Sequence, residues 1–159
     1  MHAYAVKFGE DPLKWQIAGL LHDVDYEQHP TIEEHGKVGA GWLRDLGYPE
    51  DMVHAVLTHN DYHGVPRDDL LSRTVFACDE LAGMITATAL VRPTKSIFGL
   101  EATSVRKKMK DKAFARGVNR DDVIHGAEEL GVDLDEHIAF VITAMETEAD
   151  ALGLRGVQE

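Results

Sequence analysis

The chain has 159 residues, 44% of them hydrophobic, enough for one compact domain with a buried core and too few for two ordinary ones. A formal charge of −12 argues against broad nucleic-acid binding, and a single cysteine, Cys78, excludes an internal disulfide or a zinc site built from several thiolates and fits a reducing cytoplasm. No segment approaches the roughly 20 apolar residues of a bilayer span and no basic-then-apolar leader opens the chain, so a cytoplasmic protein without membrane contact is expected.

Helical periodicity dominates from end to end, and the expected fold class is all-α. A first short helix ends near Gly9. Asp11-Pro12 starts the next, whose apolar body (Trp15, Ile17, Ala18, Leu20, Leu21) leads into the polar pair His22-Asp23. Thr31 and Glu34 have capping-box spacing, which predicts a helix from Ile32 to Leu46, closed by Gly47. Pro49 opens a helix to Thr58, and the polar stretch from His59 to Pro66 reads as a loop. A long apolar pattern from Asp68 to Leu90 predicts a central buried helix with Asp79 in its middle, ended by Pro93. After a loop holding Phe98 and Gly99, a basic helix is expected from Ser104 to Ala115, with Gly117 closing it. Asn119 is the expected N-cap of a helix to Leu130, and Asp133 with Glu136 forms a second capping box for a helix to Leu152.

Six of the nine histidines lie between His22 and His63, interleaved with Asp23, Asp25 and Asp61. Imidazole and carboxylate are the usual protein ligands of first-row divalent ions when thiolates are absent. His22-Asp23 follows an apolar run and should be drawn inside with it, and Asp79 stands among Val75, Phe76, Leu81 and Ala82; buried charge of this kind demands a partner. A shared cation satisfies both segments; a helix-end salt bridge would satisfy either one alone. Asp25 reads equally as a carboxylate orienting a ligand imidazole, a proton acceptor or a turn residue. His54 reads as a helix-surface residue, His29 and His63 as loop residues, His125 and His137 as structural, and Cys78 as a small core residue. Charge is uneven as well. From Arg92 to Arg120 nine basic residues face only Glu101 and Asp111, a local +7 that leaves −19 elsewhere. That stretch is either a solvated face attracted to the acidic remainder or a device that steers an anionic substrate.

The segments LLHDVDYE, EEHGKVGAGWL, VLTHNDYHGVP and TVFACDELAGMI resemble, in order and spacing, the helices of the HD-domain superfamily. The stretch from Met1 to Leu152, including ALVRPTKS and KDKAFARGVNR, resembles small bacterial proteins of the HDIG type. The resemblance implies an HD-domain helical bundle of about six to eight helices. It implies a single domain over 1–152 whose first helix is cut short, with a frayed tail over 153–159. His22, Asp23 and Asp79 would bind one divalent ion, and His35 and His59, with Asp23 bridging, a second; manganese, iron, magnesium, cobalt, nickel and zinc are not distinguished. The implied activity is phosphohydrolysis of a small phosphorylated substrate, nucleotides among the candidates, with Asp23 and Asp25 as its carboxylates. On charge alone, Lys95, Lys107 and Lys108 would hold the substrate's negative charge. A di-iron oxygenase and a non-catalytic metal- or ligand-binding HD protein are the alternatives. Two departures stand out. The superfamily pattern has a further histidine farther upstream than Met1, which His2 is not placed to replace, and Asn60 stands where related cyclic-dinucleotide phosphodiesterases carry a second adjacent histidine.

Overall fold

In the computed structural model, which describes residues 1–156, every regular element is a helix. Among the described residues these are α1 (His2–Phe8), α2 (Pro12–Leu21), α3 (Lys37–Asp45), α4 (Glu50–Leu57), α5 (Leu70–Leu90), α6 (Ala102–Met109), α7 (Arg120–Leu130) and α8 (Leu134–Glu146). The chain is all-α, and it divides into two compact units, Met1–Phe76 and Ala77–Glu159. No described helix is long and apolar enough to cross a membrane.

In the first unit, Asp11 caps α2 by accepting from the amides of Leu13 and Lys14, with Pro12 pre-set for the first helical position. Phe8 of α1 lies between Tyr4, stacked at 5.3 Å, and Trp15 of α2 at 6.1 Å, which joins the two helices through aromatic contact. Helices α3 and α4 pack through buried Ala40, Leu43, Val53 and Val56, flanked by Leu21, Tyr48 and Leu57. Lys14 of α2 pairs with Asp51 of α4 at the surface.

The helix expected from Ile32 begins five residues later, at Lys37. Residues 31–36 form turns, within which the Thr31 hydroxyl donates to Glu34 at 3.3 Å. Gly36 is the cause, because its φ of 80° lies outside the right-handed helix. A Cβ at this position would also stand 3.0 Å from His59 Cε1 and 3.1 Å from the Val56 carbonyl, so the chain can approach α4 this closely only as glycine.

In the second unit, α8 packs on both α6 and α7. Val105, Val123, Ala127, Ile138 and Ile142 are buried in it. Gly126 of α7 backs onto Ala77 of α5, whose Cα would lie 2.6 Å from any added Cβ. The caps at Asn119 and Asp133 form as expected, each side chain accepting helix amides. Two helices are shorter than expected. Helix α6 covers Ala102–Met109 rather than Ser104 to Ala115, since Asp111 takes the Ala113 amide and Ala115 is left-handed at φ 42°. Helix α8 ends at Glu146 rather than Leu152, where Glu148 and Ala149 turn to i→i−3 bonds on Met145 and Glu146. Within the stretch expected to fray, Leu154 is 1% exposed and its carbonyl accepts from the Ile97 amide at 2.8 Å. The last three residues of that expectation, 157–159, lie outside the described residues.

Candidate metal centre

Four of the expected site residues come together in the first unit. His22 caps the C-terminus of α2, Asp23 follows it, His35 sits in the turns before α3, and His59 follows α4. The His35 and His59 rings stand edge to face at 4.7 Å, and those of His22 and His59 at 5.4 Å. Asp23 Oδ1 lies 3.1 Å from His35 Nε2 and 3.5 Å from His59 Nε2, while its Oδ2 lies 3.3 Å from His22 Nε2.

Each imidazole is fixed by its other nitrogen. His22 Nδ1 donates to the Gly19 carbonyl at 2.7 Å and His59 Nδ1 to the Val56 carbonyl at 2.6 Å. A carbonyl only accepts, so Nδ1 carries the proton and, in the neutral ring, Nε2 presents a lone pair. His35 Nδ1 faces Asp25 Oδ1 at 2.8 Å and is fixed in the same sense. Asp25 is fully buried, and its Oδ2 accepts from the amides of Gly36 at 2.9 Å and Gly39 at 2.6 Å. Of the three readings open for Asp25 in the sequence, this geometry matches the carboxylate that orients an imidazole.

The consequence is electrostatic. His35 Nε2 and His59 Nε2 face each other at 2.9 Å with the Asp23 carboxylate beside both. Lone pairs converging this closely repel unless a proton or a cation lies among them. Asp23, His35 and His59 could hold a metal ion together. The cluster is enclosed at the His59 end (3% exposed) and open at Asp23 (49%).

A second group of donors, His54 with Asp68 and Asp69, is committed elsewhere. His54 Nδ1 meets Asp69 at 2.7 Å and its Nε2 meets the Pro66 carbonyl at 3.0 Å, while the other Asp69 oxygen accepts the Ser72 amide at the start of α5. His54 therefore pins a loop, a task that its place on a helix did not announce. Arg67 pins the same loop by donating to the Thr58 carbonyl and to Asp61, with its guanidinium 3.6 Å from the centre of the Phe76 ring. Asn60 accepts the Tyr62 amide, and its Nδ2 is enclosed without a partner among the described residues.

The remaining expected residues belong to the second unit. Asp79 is half-buried on α5. Lys95 is exposed in left-handed backbone at φ 49°, Lys107 is exposed on α6, and Lys108 lies 4.7 Å from the centre of the Phe114 ring. Cys78, half-buried on α5, has its thiol pushed up by burial to about 11, so at neutral pH it is protonated in the metal-free protein.

Sequence reasoning missed two residues beside the cluster. His63, read as a loop residue, directs Nε2 to the His35 carbonyl at 2.9 Å, and Tyr26 stands edge to face against His35 at 5.0 Å. Their order in the chain carried a signal: both lie within four residues of a motif histidine or aspartate.

The family model described as the HD domain matches residues 1–84, more than half of the chain. The chain belongs to the HD-domain family. Curated relatives of this HD-domain protein include Ribonuclease Y of Oleidesulfovibrio alaskensis, 32% identical over 80 residues, and Ribonuclease Y of Lawsonia intracellularis, 34% identical over 80 residues. Ribonuclease Y of Nitratidesulfovibrio vulgaris is 31% identical over the same length. Each alignment takes in 50% of this chain and 15% of the relative, so the chain spans a minor part of those proteins. No solved structure matches it.

Proposed function

We propose that this HD-domain protein is a metal-dependent phosphohydrolase acting on a phosphoester. The observation that carries the reading is the convergence of His35 Nε2, His59 Nε2 and Asp23 Oδ1, with each Nδ1 tied back so that lone pairs face inward. The donor set fits a divalent first-row ion, being nitrogen and oxygen with no thiolate. Asp23, His35 and His59 would hold it, with His22 beside Asp23 as a further donor.

A bound ion would supply hydroxide at neutral pH from its water and neutralise phosphate oxygens. The residues of the chain do the rest. Asp25 holds His35 in the tautomer that leaves Nε2 free, and the Gly19 and Val56 carbonyls do the same for His22 and His59. Asp23, the most exposed member, faces the side from which a phosphoester would arrive. Lys95, Lys107 and Lys108 are proposed to hold substrate charge, and Asp79 retains as a proposal the metal role that the sequence resemblance implies. On the same resemblance, the chain is proposed to be of the HDIG type.

Ribonuclease Y acts, by its name, on RNA. That name adds RNA phosphodiesters to the nucleotide and small phosphoester substrates proposed here, against the −12 charge of the chain. The test is phosphate or product release from nucleoside monophosphates, cyclic nucleotides, sugar phosphates and short RNA with each candidate ion. Turnover of at least one class, abolished in Asp23→Ala, is expected. Metal-loaded protein that turns over none of them would contradict hydrolysis and favour a binding role. Metal analysis of Asp79→Ala on the same preparation tests that residue by itself.

A further inference from the structure

Helix α4 ends at Leu57, and the chain that leaves it carries His59. Carbonyls at such an end need partners from outside the helix ladder. Side chains supply them here: the Thr58 hydroxyl donates to the His54 carbonyl at 2.8 Å, His59 Nδ1 to that of Val56 at 2.6 Å, and Arg67 Nη1 to that of Thr58 at 2.8 Å. The last of these bears most on the metal centre. A peptide unit is planar, so holding the Thr58 oxygen holds the plane that leads into His59 Cα. Arg67 Nη2 meanwhile donates to Asp61 at 2.6 Å, so one guanidinium grips the chain on both sides of His59.

The grip is itself anchored. The Arg67 side chain is only 6% exposed, its guanidinium lies 3.6 Å from the centre of the Phe76 ring, and its carbonyl accepts from Arg73 Nε of α5 at 2.9 Å. Enclosing a charge to this degree is costly, and the Asp61 carboxylate, the face of the ring and the negative end of α4 offset the cost. A planar fork can serve Thr58 and Asp61 together, which the single ammonium of a lysine cannot. We propose that Arg67 is a positioning residue of the metal centre: by gripping Thr58 and Asp61 it fixes the backbone of His59, and with it the 2.9 Å approach of His59 Nε2 to His35 Nε2. The proposal rests on the metal centre of the phosphohydrolase reading and not on hydrolysis. The other tie of the loop, His54 to Asp69 and the Pro66 carbonyl, secures its far end without touching the peptide before His59, so the two ties are separable.

The experiment is titration of the full chain with cobalt(II), followed by visible absorption, which reads affinity and ligand geometry together. Arg67→Ala should bind about tenfold more weakly or worse than wild type, with altered absorption bands. Millimolar guanidinium chloride, whose cation fits the space left over Phe76, should restore both, and the same concentration of potassium chloride should not. Arg67→Lys keeps the charge but not the fork and should also bind weakly. His54→Gln, which removes the other tie, should stay close to wild type. Wild-type affinity and bands in Arg67→Ala, no recovery with guanidinium, or an equal loss in His54→Gln would each overturn the proposal. Should Arg67→Ala not fold, Arg67→Lys decides, and wild-type affinity and bands in it overturn the proposal equally. The outcomes separate from those of the wider reading: wild-type protein that binds no cobalt contradicts the metal centre itself, whereas cobalt held through Arg67 without turnover of any phosphoester contradicts hydrolysis alone.

Discussion

At the scale of single residues, Asp25 decides more than its place in the sequence suggested. One carboxylate serves three donors, the amides of Gly36 and Gly39 and His35 Nδ1, from a position with no access to water. An Asp25→Asn substitution keeps the shape and retains an oxygen for the two amides. Its NH2 then faces His35 Nδ1, and two donors cannot pair, so the imidazole is pushed toward the tautomer protonated at Nε2. Metal affinity should fall roughly 10- to 100-fold while the variant stays folded. Titration with a metal indicator alongside thermal denaturation checks both halves. Undiminished affinity would show that Asp25 does not set the tautomer. The sequence could list the possible roles of Asp25 but not choose among them, because its three partners lie 10, 11 and 14 residues away and meet it only through a turn that no capping pattern foretold.

At the scale of elements, the helices that begin with a side-chain cap were legible. Asp11, Asn119 and Asp133 each accept the helix amides that their sequence positions imply. The misread boundaries have local causes that periodicity does not report. The spacing of Thr31 and Glu34 is that of a capping box, and the contact between them exists, yet the helix waits for Gly36. The basic helix stops at Met109, and Arg120 then gathers the carbonyls of Asp111, Phe114, Ala115 and Val118, which holds the following segment in turns. Gly36 gives the test at this scale. Alanine there meets both a left-handed backbone, costing about 1–2 kcal/mol, and the His59 ring. Gly36→Ala should therefore lose about 2 kcal/mol in urea denaturation and bind metal more weakly, since His59 must shift. Wild-type stability and metal binding together would remove Gly36 from the account.

At the scale of the whole molecule, the sequence showed an acidic chain with one basic stretch, and the structure sorts that stretch by use. Arg92 donates to the carbonyls of Ser96, Phe98 and Gly99, Arg120 to four more, and Arg106 pairs with Asp135 at 3.1 Å. These three are structural. Among the described residues Lys107, Lys110, Lys112 and Arg116 form no ion pair. Lys107→Ala should raise KM for a phosphorylated substrate several-fold with kcat unchanged, and the wild-type KM should rise with salt as the charge is screened. Lys108→Ala should do less, as its ammonium is already engaged over Phe114. An unchanged KM in Lys107→Ala would exclude it from substrate binding. Family membership and the all-α class were readable from the four ordered motifs. The resemblance implied that His35, His59 and Asp23 approach one another in a shared site; which nitrogen of each ring points inward was not legible, because spacing along a chain does not say it.

That approach is the centre of the account, and metal content tests it most directly. Purified wild-type protein, incubated with a divalent first-row ion and freed of excess, should retain at least about one equivalent by elemental analysis. His35→Ala and His59→Ala, which leave Asp23 in place, should each retain much less, and His125→Ala, far along the chain on α7, should match wild type. Equal metal in wild type, His35→Ala and His59→Ala would contradict the proposed centre, and the phosphohydrolase reading with it.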